Sequence, residues 1–214
     1  MFIQRVRVRF QKKGELKAIS HLDLMRAFER ALRRTALPLR MSEGFNPRPR
    51  ISFPAPLGVG IEGTDEAMEF ELADWVYPAE IERKLREQLP EGLDLVSLEL
   101  GAPHGAARAA EVVYQIAPRP ALEDDARIEG AALDRFMARE EIPVERLRKG
   151  RQKTVNIRPF ILAVERKAES VSLRLKAGPE GSAHPEEILG ALGFDAETCR
   201  GGFRVTRTRV QLAD

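Results

Sequence analysis

Arginine and lysine side chains, concentrated in three parts of the sequence, carry most of the chemistry that it suggests. The first group alternates with apolar residues along residues 2–10 and continues at helical spacing further on: Arg5, Arg7, Arg9, Arg26, Arg30, Arg33 and Arg34. A guanidinium group binds phosphate through two hydrogen bonds, and alternate residues of a strand lie about 6.8 Å apart, close to the phosphate spacing of extended single-stranded RNA. This pattern predicts a polynucleotide ligand. Pairing with acidic residues from 61–99 is the alternative.

The second group is a loop at residues 44–50, Gly-Phe-Asn-Pro-Arg-Pro-Arg, which places an aromatic side chain beside two arginines. We expect Phe45 to stack on a base while Arg48 and Arg50 bind phosphate. The glycines that follow, at residues 58, 60 and 63, match neither a phosphate-loop nor a dinucleotide-binding spacing. A purely structural hairpin is therefore the alternative.

The third group holds five cations within the eight residues 146–153, around Gly150. We interpret it as a phosphate-binding loop that leads into a strand, on which Asn156 and Arg158 share one face. A solvated run of charge is the alternative. The nucleic-acid contacts predicted from this group are Arg148, Lys149, Arg151, Lys153 and Arg158.

The charge is distributed unevenly along the chain, which has 214 residues and a formal net charge of +2. Residues 1–60 carry 13 basic and 4 acidic side chains, residues 61–145 carry 8 and 21, and residues 146–214 carry 14 and 8. Two basic segments thus flank an acidic one, an asymmetry that favours a surface for a polyanion. The acidic middle, Glu62 to Glu99, is a candidate surface for docking a protein partner.

Other chemistry is sparse in this sequence. Three histidines lack metal-ligand spacing, and the single cysteine, Cys199, excludes an internal disulfide and a cysteine-based metal site, so we predict no metal site. His21, at the start of a predicted helix, is a weak candidate for a general acid or base, and a helix-capping role is the alternative. No other catalytic residue is predicted.

The elements that must position these residues follow the order strand, helix, strand, strand, helix, strand, twice. The first series comprises a strand at 2–10, a helix capped by Ser20, strands at 51–60 and 69–72, a helix at 78–89 and a strand at 92–100. The second comprises a strand at 112–116, a helix at 131–139, strands at 154–164 and 170–176, a helix at 185–192 and a strand at 202–212.

This order predicts an α+β fold of two tandem ferredoxin-like (βαββαβ) modules with antiparallel sheets, residues 1–104 and 105–214. Apolar stretches are far shorter than the roughly 20 residues that cross a bilayer, and the N-terminal residues contain no apolar signal core. We therefore expect no membrane association and a cytoplasmic location.

Four segments of the chain resemble a known family: Ser20–Arg26, Arg30–Arg33, Gly44–Phe53 and Leu57–Gly60. They are similar to the radical SAM-associated (radical SAM-linked) domain family of unknown function, whose members lie beside, or are fused to, a radical SAM protein. The resemblance implies a radical SAM partner, with the iron–sulfur cluster and S-adenosylmethionine bound by that partner and no cofactor in this chain. The predicted architecture also resembles that of CRISPR repeat-processing endoribonucleases of the RAMP class, whose C-terminal glycine-rich loop is reduced here to Gly201-Gly202.

These observations lead to one main hypothesis and two alternatives. The main hypothesis is a non-catalytic RNA-binding accessory protein that presents structured RNA, tRNA or rRNA, to a partner radical SAM enzyme. The first alternative is a nucleic-acid-processing enzyme, a RAMP-like endoribonuclease or an RNA modification enzyme, that uses His21. The second is an interaction scaffold that docks the radical SAM partner through the acidic middle segment.

Overall fold

The computed structural model describes residues 2–102, 105–148 and 150–213, and the side chain of Arg148 is outside the description. The fold is mixed α+β, with mostly antiparallel strands and five α-helices in the described residues. It divides into two compact units: unit 1, residues 1–109 with 212–214, and unit 2, residues 110–211. No helix among the described residues is both long enough and apolar enough to span a membrane.

Unit 1 shows the element order that the sequence predicts for the first hundred residues. Its elements are β1 (Gln4–Lys12), α1 (His21–Arg34), β2 (Ile51–Ser52), β3 (Glu62–Leu72), α2 (Pro78–Arg86) and β4 (Leu93–Leu100). The strands pair in the order β4-β1-β3-β2, and all three pairings are antiparallel. Residues 57–60, expected to belong to a strand, are not in one, because β2 ends before Pro54 and Pro56.

The core of unit 1 lies between one face of this sheet and its two helices. Val6, Val8 and Phe10 point into it from β1, and the Phe10 ring packs edge-to-face on Phe28 of α1 at 4.8 Å. Since strand side chains alternate between faces, the arginines between these residues lie on the opposite face of the sheet. The period-two pattern therefore fixes which side of β1 is basic.

Helix α1 begins where the sequence predicts. The Ser20 hydroxyl accepts a hydrogen bond from the backbone N–H of Asp23 at 3.2 Å, as an N-cap residue does. Its buried face consists of Leu24, Phe28, Ala31 and Leu32. The basic side chains at positions 26, 30 and 33 fall on the outer face, each about one turn after the previous one.

Unit 2 departs from the predicted order by one additional hairpin. Its elements are β5 (Ala109–Pro118), α3 (Gly130–Met137), β6 (Pro143–Arg148), β7 (Arg151–Asn156), β8 (Ile161–Lys167), β9 (Ser170–Lys176), α4 (Pro185–Ala191), α5 (Ala196–Gly201) and β10 (Phe203–Leu212). Four strands pair in the order β10-β5-β9-β8, while β6 and β7 form a separate two-stranded sheet.

The single strand expected at 154–164 is wrong. A 3-10 turn at Arg158–Phe160 separates β7 from β8. Its second residue is Pro159, which fixes its own backbone torsion and has no N–H to donate to a sheet. The charged segment before it folds back on itself as the β6–β7 hairpin, with Arg148 opposite Arg151 and a positive φ of 75° at Gly150.

Candidate nucleic-acid interface

The arginines of β1 lie on the outer face of the sheet, but acidic side chains on neighbouring strands engage all three. The antiparallel register sets Arg5 opposite Glu71 and Arg7 opposite Glu69, so each guanidinium meets a carboxylate directly across the ladder. The ion pairs and their N–O distances are Arg5–Glu71 (2.7 Å), Arg7–Glu69 (3.0 Å), Arg7–Glu99 (3.2 Å) and Arg9–Asp65 (3.5 Å). The three arginines of β1 therefore pair with acidic residues from 61–99, which is the alternative given for this strand in the sequence analysis.

The two central carboxylates of this ladder are enclosed. The Glu69 side chain is 2% exposed and also accepts a hydrogen bond from the backbone N–H of Ala107 at 2.8 Å. Glu71 accepts from Arg5 and from Arg40, both at 2.7 Å. Burial alone would raise the pKa of Glu71, but the two guanidinium donors outweigh it and hold the pKa below its usual value. Neither carboxylate offers an exposed charge to a docking protein.

The loop of residues 42–50, here called the Phe45 loop, is held by hydrogen bonds near its two ends and exposes its aromatic residue. Ser42 and Arg48 close the loop through two hydrogen bonds, Ser42 N–H to the Arg48 carbonyl at 2.7 Å and Arg48 N–H to the Ser42 hydroxyl at 3.0 Å. Arg33 of α1 donates to the Pro47 carbonyl at 2.9 Å. Phe45, at the tip, has a relative accessibility of 107%, so its ring contacts solvent on both faces.

Several exposed cations of unit 1 lie on this loop and on the neighbouring helix α1. Arg30 and Arg50 are exposed and have neither an ion pair nor a side-chain hydrogen bond within the described part of the chain. Arg48 is 61% exposed, and its nearest acid, Glu29, is 3.8 Å away. Arg26 pairs at 3.1 Å with Asp23, which is itself exposed, and such a pair contributes little stability. These guanidinium groups can therefore exchange water or a weak partner for phosphate.

Two recesses open between α1 and the Phe45 loop. The larger, of about 490 Å³, is here called the cleft, and it is lined by Arg5, Met25, Glu29, Ser42, Arg48, Pro49, Arg50, Ile51, Ser52, Glu69, Phe70, Glu71 and Ala106. The second, of about 420 Å³, is lined by Arg26, Glu29, Arg33, Asn46, Pro47 and Arg48. Glu29 and Arg48 line both. The structure thus brings together Arg5, Arg26, Arg48 and Arg50 of the predicted contacts.

The cations predicted in unit 2 fall into two classes. Arg151 and Lys153 are exposed on β7. Arg158, by contrast, directs its guanidinium at backbone carbonyls, those of Met137 at 3.0 Å, Arg139 at 3.1 Å and Ile161 at 3.1 Å. Arg158 therefore has a structural role, because its hydrogen bonds connect the end of α3 to the start of β8. Of the remaining two predicted contacts, Lys149 lies outside the described residues and so does the Arg148 side chain.

His21 lies apart from both recesses. It is the first residue of α1, half-buried, and its ring packs edge-to-face on Phe53 with the centroids 5.0 Å apart. Phe53 in turn packs on Phe10 and Phe28 of the core. This packing is a structural role, consistent with the helix-start position that the sequence shows.

Two residues of the site escape sequence reasoning, Glu29 and Arg40. Glu29 lies in an arginine-rich helix, where the sequence suggests only an ion pair with an arginine of the same helix. The signal that could have found it is its position four residues after Met25, which places both on one face of α1. Arg40 lies before the loop, between the apolar residues Leu39 and Met41, and its partner Glu71 is 31 residues further along the chain. Within the described residues, no group of three or more His, Cys, Asp or Glu side chains is arranged to hold a metal ion.

A family model described as an uncharacterized protein conserved in bacteria (DUF2344) matches residues 5–185. That description names neither an activity nor a partner. No curated protein matches the sequence. The matched range contains α1, the Phe45 loop and every residue of the two recesses.

Proposed function

Because the chain belongs to the family of uncharacterized proteins conserved in bacteria (DUF2344), we propose its function from its own residues: it binds RNA through α1 and the Phe45 loop. The observation that carries the proposal is the fully exposed Phe45 ring on a loop that also carries the exposed Arg50, next to α1, whose outer face carries the exposed Arg30. Within the described residues, neither guanidinium group has an ion pair or a hydrogen bond. Aromatic stacking on bases combined with cations on the phosphates is how proteins hold unpaired nucleotides.

The arrangement favours a ligand with spaced negative charges over a single small anion. The exposed cations follow the outer face of α1, at positions 26, 30 and 33, and continue into the loop at positions 48 and 50. Each cation that neutralises a phosphate releases counterions, so binding gains from a row of such contacts. Structured RNA with unpaired bases, such as tRNA or rRNA, supplies both the row of phosphates and an exposed base for Phe45.

The protein acts, in this proposal, as a non-catalytic accessory that presents its RNA to a radical SAM enzyme. The support is the resemblance of residues 20–26 and 44–53 to the radical SAM-associated family, together with the single cysteine, Cys199. A three-cysteine cluster motif cannot be built from one cysteine, and burial raises the pKa of the Cys199 thiol, which keeps it protonated. The cluster and S-adenosylmethionine would therefore belong to the partner.

The same proposal takes each unit as one ferredoxin-like module of a tandem pair. The support is the strand order, β4-β1-β3-β2 in unit 1 and β10-β5-β9-β8 in unit 2, in which corresponding strands occupy corresponding places. In this scheme the β6–β7 hairpin is an insertion between α3 and β8 of the second module. The hairpin carries Arg151 and Lys153 as additional candidate contacts.

Two double variants test RNA binding directly. In the first, Arg30→Ala with Arg50→Ala, both substitutions remove a cation that no described residue engages. We expect weaker binding of bulk tRNA and a slope of log K against log salt that is shallower by about 1.4 to 1.8, since each lost phosphate contact removes roughly 0.7 to 0.9. The measurement is fluorescence anisotropy from 50 mM salt upward.

The control variant, Arg83→Ala with Arg200→Ala, removes the same charge from two exposed arginines that line neither recess. It should leave the slope close to the wild-type value. Equal slopes for the two double variants would show that the phosphate contacts do not lie on α1 and the Phe45 loop. If wild-type protein retains no RNA at 50 mM salt, the proposal is wrong.

A further inference from the structure

Three carboxylates line the cleft, and two of them, Glu69 and Glu71, form ion pairs with arginines of β1. The third, Glu29, is an acidic residue that a phosphate-binding surface does not need. Glu29 stands between the two recesses, where its carboxylate would repel the RNA backbone. Its side chain is 15% exposed, so most of its hydration is already lost. Such a carboxylate is stabilised only by donors that reach it.

The donors that reach Glu29 within the described residues are insufficient. Its nearest cation, Arg48, lies at 3.8 Å, beyond hydrogen-bond distance, and no other described side chain or backbone N–H donates to it. Its two oxygens therefore remain as acceptors at the wall of the cleft. A ligand that brings two adjacent N–H groups would satisfy both at once.

We propose that the cleft binds one unpaired guanine nucleotide, whose N1–H and N2–H donate to the two oxygens of Glu29. Guanine is the base whose pairing edge carries two neighbouring donors; adenine and cytosine each offer one amino group beside an acceptor, and uracil offers one N–H between two carbonyls. The inference rests on the proposed RNA binding and adds base selectivity to it.

Five other residues that line the cleft fit the other parts of a nucleotide. Its volume of about 490 Å³ lies in the range of pockets that enclose one drug-sized molecule. Met25, Pro49 and Ile51 provide apolar surface for the faces of the base, while Arg48 and Arg50 supply cations for the phosphate. Phe45, which does not line the cleft, is left to stack on a neighbouring base.

The experiment compares heptamer RNAs of sequence UUU-N-UUU, where N is guanosine, inosine, adenosine, cytidine or uridine. Inosine lacks the N2 amino group and keeps the rest of the guanine edge. We expect wild-type protein to bind the guanosine heptamer about 5- to 150-fold more tightly than the others, the discrimination typical of one bidentate contact between a side chain and a base. Replacing guanosine by 7-deazaguanosine, which changes only the opposite edge, should have no effect.

The variant Glu29→Gln should lose most of this preference, because an amide presents one acceptor and one donor where guanine needs two acceptors. Its matched control is Glu43→Gln, which removes the same charge from an exposed position that lines neither recess and should keep the wild-type preference. The inosine comparison uses wild-type protein alone, so it holds even if the Glu29 variant unfolds.

The outcomes separate the two proposals. Equal affinity for all five heptamers, or a guanosine preference that Glu29→Gln leaves unchanged in a folded protein, would overturn the guanine site while RNA binding stands. Absence of binding to the heptamers and to bulk tRNA alike would overturn the proposed function itself.

Discussion

The substitution Phe45→Ala separates a binding role from a structural role at the tip of the Phe45 loop. A phenylalanine that contributes to a fold does so by burying its ring, at about 25 cal/mol for each Å² of apolar surface removed from water. Phe45 has a relative accessibility of 107%, so the folded protein buries none of that surface. We therefore expect the free energy of unfolding to change by less than about 0.5 kcal/mol, as for other substitutions of exposed side chains.

The effect on RNA affinity should be much larger. Stacking of a base on an aromatic side chain contributes about 1–3 kcal/mol by alanine substitution, which corresponds to a 5- to 150-fold rise in Kd. The assay is anisotropy titration with single-stranded and transfer RNA, beside urea unfolding of the same preparation. Phe45→Trp in a Trp75→Phe background gives a direct reporter, because the wild-type chain contains one tryptophan and a stacked base should quench the new one.

Two results would refute this reasoning. An unchanged Kd for Phe45→Ala would show that the ring does not stack on the ligand, and the exposed aromatic would need another explanation. A loss of more than about 1 kcal/mol of stability would show that the ring is packed in solution, contrary to its exposure in the structure. In either case Phe45→Trp should fail to report RNA binding.

Two further predictions concern charged groups that stabilise the fold. Glu71→Gln should cost about 2 kcal/mol at neutral pH, since its carboxylate accepts charged hydrogen bonds from Arg5 and Arg40. The lowered pKa of Glu71 means that this contribution is present above the usual glutamate pKa of 4.5 and lost as the pH falls through the folded value. The free energy of unfolding, measured with urea between pH 7 and 3, should therefore fall less steeply with pH for Glu71→Gln than for the wild type. The same pH dependence in both proteins would contradict this role of Glu71. Arg158→Ala should lower the free energy of unfolding by about 3 kcal/mol, because the Arg158 guanidinium donates hydrogen bonds to three backbone carbonyls. Its RNA affinity should stay within twofold of the wild-type value. A large loss of affinity with unchanged stability would show instead that Arg158 contacts RNA.

Much of unit 1 could be predicted because its signals are local. The alternation of Arg5, Val6, Arg7 and Val8 gives β1 and its basic face, and Ser20 marks the start of α1. The β6–β7 hairpin could not be predicted in the same way, because its residues are mostly charged or polar and β7 is largely exposed. Without an apolar period, the segment carries no signal that distinguishes a hairpin from a solvated loop.

The candidate site was harder to predict because ion pairing depends on register. The sequence shows Arg5 and Arg7 on one face, and it shows Glu69 and Glu71 with the same spacing. Only the antiparallel pairing of β1 with β3 sets them directly opposite each other. The role of Arg158 could not be predicted for a similar reason. Its carbonyl partners are Met137 at the end of α3, Arg139 just after α3, and Ile161 in β8, and no local sequence pattern connects these residues.

The contrast between these arginines gives the physical reason for placing the interface on α1 and the loop. A strand inside a sheet faces neighbours on both sides, so a basic face acquires acidic partners wherever the register offers them, as at Glu69 and Glu71. An exposed helix face and a loop tip have no such neighbour. Arg30 and Arg50 therefore keep their hydrogen-bonding capacity for a ligand. Glu29 lines the cleft without a hydrogen-bond donor among the described residues, so it favours a ligand that donates hydrogen bonds as well as one that carries phosphate.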